Sequence, residues 1–179
     1  MKLTGCAANS MPSRIRPVRI VLFIFNDGSS TGPGDRTGDH FGTIQAVRDS
    51  DTADPPGRLR VEAFVSRCSD PACNSSTTVV ENDPPETVQV NTPFTLQVVW
   101  DHLNHQFLAG VGKNALVTQP YAASDLLPAA LPFVNMSVAN SPANCTAGAT
   151  TADATTAVRK VSTNASAVPY PVLREVGYC

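Results

Sequence analysis

The chain has 179 residues, enough for one ordinary domain, with 42% hydrophobic and only 16% charged residues. That balance excludes a disordered polyelectrolyte, and the scarcity of Glu and Lys heptads excludes a coiled coil. A formal net charge of -2 offers no footprint for nucleic acid or an anionic membrane. The longest apolar run, Ile20 to Phe25, is far short of the ~20 residues of a membrane span.

In chain order, Met1-Lys2-Leu3 leads straight to Thr4, with no apolar signal-peptide segment between them. Leu3-Thr4-Gly5-Cys6 has the outline of a lipoprotein cleavage site, but it reads as an ordinary cysteine beside a strand. Val18 to Phe25 is β-branched and aromatic, which predicts a buried strand. Phe41 to Val47 predicts a second strand, with Gly42 marking a bulge. From Arg58 to Arg67 the alternation is clearest: Leu59, Val61, Ala63 and Val65 face one way, as in a half-buried antiparallel strand. Ser76 to Val80 returns as its hairpin partner. Phe94, Leu96, Val98 and Trp100 alternate next, a turn follows at Asp101 to Asn104, and His105 to Val111 runs back. After a turn at Gly112-Lys113-Asn114, Ala115 to Thr118, Pro132 to Val138 and Thr155 to Val161 complete the predicted strands. Tyr121 to Ala130 is the one segment expected to hold a helical turn, and Ala139 to Asp153 is expected to be irregular. Roughly nine short strands with turn signals between them predict an all-β antiparallel sandwich or barrel. A single domain over 1–162, with its core at about 14–162, would be followed by a peripheral tail over 163–179.

The segments FTLQVVWDHLNHQF (Phe94 to Phe107) and LRVEAFVSRCSDPAC (Leu59 to Cys73) resemble concanavalin A-like, laminin G-like jelly-roll sandwiches. The order FNDG, GDRTGD, RCSDPAC, WDHLNHQF resembles domains of bacterial exported proteins of unassigned function. The resemblance implies a jelly-roll sandwich in which Trp100 and Phe107 enter the core while Asp101 and Asn104 shape the turn. It also implies that the chain is either an incomplete piece of a larger domain, lacking strands before Met1, or a trimmed variant, with sheet edges open to self-association.

Five cysteines supply no zinc-ribbon spacing. Cys68-Ser-Asp-Pro-Ala-Cys73 suits a small disulfide loop and hence an oxidising compartment. Cys6 and Cys145 are candidates for a second bridge, leaving Cys179 unpaired, with free thiols as the alternative. Asn26, Asp27, Asp35 and Asp39 lie in an acidic, Gly-rich loop whose oxygens would suit calcium or another ligand; tight-turn structure explains the same residues. His102 and His105 have H-x-x-H spacing, with Asp101 the nearest third ligand, and otherwise read as exposed histidines of a hairpin tip. Glu81-Asn-Asp-Pro-Pro-Glu86 fits the E-x-D-x-x-E pattern of jelly-roll glucanases. Pro84-Pro85 cannot sit in a central strand, however, so the segment reads as a solvated loop. Four N-x-S/T triplets, at Asn74, Asn135, Asn144 and Asn164, occur in a Ser/Thr-rich chain where chance supplies such matches.

These features predict a non-catalytic, extracytoplasmic sandwich that binds glycan or protein or serves as structural support. Trp100, Tyr121 and the loop aspartates are the first residues to test. The alternatives are a glucanase-like carbohydrate-active enzyme and a subunit that self-assembles through exposed edges.

Overall fold

A computed structural model describes residues 2–6, 14–49, 55–141 and 149–153. The described chain is all-β and antiparallel, with strands β1 (Lys2–Cys6), β2 (Arg14–Asn26), β3 (Asp39–Asp49), β4 (Arg58–Cys68) and β5 (Ser76–Glu81). They are followed by β6 (Thr87–Gln89), β7 (Leu96–Asp101), β8 (Gln106–Val111), β9 (Val117–Pro120), β10 (Leu127–Ser141) and β11 (Ala149–Asp153). One sheet runs β10-β2-β3-β4-β5 with β6 also on β4, a second runs β7-β8-β9, and β1 pairs with β11. The predicted strand at Thr155 to Val161, the tail over 163–179, and Cys145, Asn144, Asn164 and Cys179 lie outside the described residues.

The two larger sheets form a sandwich because their apolar rows meet. Ile20, Ile44, Ala46, Leu59, Val61 and Ala63 pack against Leu96, Val98, Ala109, Val111 and Val117. This is the face predicted for β4 from its period-two alternation. The opposite face departs from the half-buried expectation, since Glu62 and Ser66 are buried as well. Polar groups tolerate this where they find partners: Gln45 Nε2 donates to Glu62 Oε2 at 2.8 Å, and Arg60 lies 3.3 Å from Glu62 Oε1.

Gly42 does not mark a bulge. The register shift lies between Phe23 and Phe25, opposite Phe41 and His40, while Gly42 pairs regularly with Leu22 and Val65. Its missing side chain instead admits the Phe107 ring from the facing sheet: a Cβ at Gly42 would lie 2.7 Å from Phe107 Cε1. Tyr121 to Ala130 holds no helical turn. Tyr121 N donates to His105 O at 3.0 Å, and from Leu127 the chain is already paired with β2. Pro128, which has no N–H to donate, sits at an irregularity of that pairing. The segment expected to be irregular begins with the end of β10 and closes with β11, which pairs with β1.

Candidate ligand-binding site

The site forms at the end of the sandwich where β2 stops, the β7–β8 hairpin turns, and the chain crosses from β9 to β10. The hairpin turn is a 3₁₀ turn, His102–Asn104, closed by a left-handed His105 (φ 49°). Asp101 Oδ2 organises it, accepting from Asn104 Nδ2 at 2.7 Å and Gln106 Nε2 at 2.9 Å. Those two bonds hold the Asp101 carboxyl below the usual carboxylate range. The turn and its left-handed cap bring the His102 and His105 rings within 6.2 Å of each other.

Facing them is Asp125, a residue the sequence reading did not select. Its side chain is 1% exposed, with Oδ2 3.2 Å from His105 Nδ1 and Oδ1 3.4 Å from His102 Nε2. The Tyr121 hydroxyl donates to Asp125 Oδ2 at 2.7 Å and accepts from Trp100 Nε1 at 2.8 Å. Burial, reinforced by the bond to Asp125, pushes the Tyr121 phenol well above its ordinary pKa, so it remains a neutral donor. Asp125 Oδ1 accepts no hydrogen bond.

Aromatic packing supports this relay from below. Phe25 lies 4.8 Å from the Tyr121 ring and 6.1 Å from Trp100, and the His40 ring stacks on Phe25 at 4.7 Å. Burial pushes the His40 imidazole pKa down, and its Nδ1 lies 3.0 Å from Gly38 O. Phe107 reaches the core as the Trp–Phe hairpin resemblance implied, but Trp100 is only half-buried. Its indole forms one wall of a cavity of about 310 Å³ that Asp125 and His102 also line. Ile24, Leu126, Leu127 and Pro128 complete the cavity with an apolar wall. Leu126 is 83% exposed and Leu103, on the neighbouring hairpin tip, 89%.

The predicted acidic-loop residues do not gather around one point. Asp35 accepts from Thr31 N, Thr31 Oγ1 and Thr37 N, and these bonds hold its carboxyl well below the usual range. Partial burial opposes ionisation of Asp27, but the bonds from Arg67 Nε at 2.6 Å and Ser29 N at 3.0 Å outweigh it and lower its pKa. Asn26 donates to Asp39 Oδ1 at 2.7 Å and accepts from Gly28 N, while Asp39 Oδ1 also accepts from Ala130 N at 2.9 Å. These are turn and strand-end bonds. Among the described residues no three His, Cys, Asp or Glu side chains are gathered as a metal site, the H-x-x-H pair included.

Cys68 and Cys73 form the expected disulfide, with Cα atoms 4.9 Å apart. Asp70 caps the loop by accepting from the main-chain N–H groups of Ala72, Asn74 and Ser75. The side chain of Cys6 and the whole of Cys145 lie outside what is described, and with them the second bridge. Glu81 ends β5, and Asn82 to Glu86 form the loop to β6, where Asp83 Oδ1 accepts from Ala63 N at 2.8 Å.

No family model, curated protein or solved structure matches the chain.

Proposed function

We propose that the chain is a non-catalytic, extracytoplasmic binding module that takes a glycan at its loop end. The carrying observation is Asp125, a buried carboxylate in the wall of an open cavity with one oxygen accepting no hydrogen bond. Sugars present an apolar C–H face and a rim of hydroxyls. Trp100 offers a complement to the first, and Asp125 with His102 to the second. The Cys68–Cys73 disulfide supports an oxidising compartment. A glycan array followed by calorimetry, on wild type, Trp100→Ala and Asp125→Asn, tests this reading. Binding that is lost in both variants supports it, and uniform silence of the folded wild type overturns it.

A second reading, self-association, is favoured by β5. This strand ends the sheet order, and residues Ser76 to Val79 are exposed without a charge among them. Light scattering across concentration separates the two: a constant monomer mass rejects pairing through this edge.

A further inference from the structure

We infer that the group seated against Asp125 is a protonated amine, so that the module selects a small organic ammonium ligand. This rests on the cavity at the loop end being the binding site. Asp125 is almost wholly removed from water, yet the groups facing it are the neutral Tyr121 hydroxyl and two imidazoles, His102 and His105. Imidazoles carry no permanent positive charge, and both are half exposed, at 50% and 57%, whereas the carboxylate is not. Among the described residues no Lys or Arg lines the cavity. Asp101, held ionised at the hairpin turn, adds to the negative potential.

A buried carboxylate calls for a cation to pair with it, and here the described residues facing it supply none with a fixed charge. The rest of the cavity suits the same guest. The Trp100 face attracts a cation through its ring quadrupole, and the Ile24, Leu126 and Leu127 wall receives the ligand's carbon frame. A neutral sugar satisfies the wall and Asp125 Oδ1 with an ordinary hydroxyl. An ammonium makes a charge-assisted bond to that oxygen and a cation–π contact beside it. An amine carried on a sugar, such as an unacetylated hexosamine, and one carried on an alkyl frame share this chemistry.

Trp100 is the only tryptophan in the chain, so its fluorescence and its indole N–H resonance report the site directly. The experiment titrates wild type and Asp125→Asn at pH 7.5 with glucosamine, glucose, N-acetylglucosamine, propylammonium and tetramethylammonium. Asn retains an acceptor for Tyr121 while removing the charge, and a circular-dichroism melt of each variant verifies that it is folded. The expected result is saturation by the cationic probes on the order of tenfold tighter than by their neutral counterparts, lost in Asp125→Asn and weakened by salt. Equal affinity for glucosamine and glucose overturns the charge selection and leaves the glycan reading standing. Response to the alkylammonium ions alone upholds the selection and removes the glycan. Silence to every probe overturns both.

Discussion

Gly42→Ala is a small substitution whose sign is decided by one contact between the sheets. Gly42 has no positive φ, so alanine fits its backbone. On backbone grounds alone the change would stabilise the fold by about 0.4–1 kcal/mol through the unfolded chain. Across the sandwich, however, the new Cβ would lie 2.7 Å from Phe107 Cε1 and 3.0 Å from Cγ. That ring cannot swing into solvent: it is buried, with the Tyr121 ring 5.8 Å away. Overpacking of this kind costs about 1–3 kcal/mol, which exceeds the backbone gain and leaves a net loss of about 1–2 kcal/mol. For a chain of this length the melting temperature should fall by about 3–6 °C. Calorimetric melts of wild type, Gly42→Ala, Phe107→Leu and the double variant test the cause as well as the size. The double variant should be more stable than the sum of the single losses predicts, because the smaller side chain removes the clash. A Gly42→Ala protein as stable as wild type or more so, or strict additivity in the cycle, would refute the proposed contact.

Tyr121→Phe leaves Trp100 Nε1 without its acceptor and removes a donor from Asp125 Oδ2, so urea titration should show a loss of about 1–3 kcal/mol. A loss below about 0.5 kcal/mol would remove the relay from the account of this site. Reduction of the Cys68–Cys73 bridge, or its replacement by serines, should cost about 2 kcal/mol by loop entropy, and reduction alone should add two titratable thiols to a thiol count. The Asp27–Arg67 pair lowers a carboxylate pKa, so its contribution is present above the unfolded value of about 3.9 and disappears as pH falls through the folded one. Wild type should therefore melt above Arg67→Met at pH 7, with the gap closing in melts run below about pH 4; a gap independent of pH would contradict the pairing.

Alternation and composition made most of the strand architecture legible. The β4 face that packs on the second sheet, the hairpin around Asp101 to Asn104, and the Cys68–Cys73 loop all follow from local period, turn chemistry and short spacing. Local signals failed where pairing overrode them. Tyr121 to Ala130 offered enough helix-compatible residues to suggest a turn, but β2 draws the chain into a long antiparallel partner from Leu127 onward. Gly42 read as a bulge because its neighbour across the sandwich, Phe107, is remote in the chain.

The candidate site divides in the same way. His102 and His105 could be picked out by spacing, and Trp100 and Tyr121 by residue type. Their meeting with Asp125 could not, since no local rule ties the hairpin tip to a carboxylate twenty residues later. By itself the sequence determined an antiparallel β fold and a disulfide loop, because side-chain period and short-range closure are properties of neighbouring residues. Only the tertiary structure decided which aspartates stay in turns and which one lies between two imidazoles beside the tryptophan. That choice depends on how β9 and β10 cross the end of the sandwich, and so on contacts that exist only once both sheets have packed.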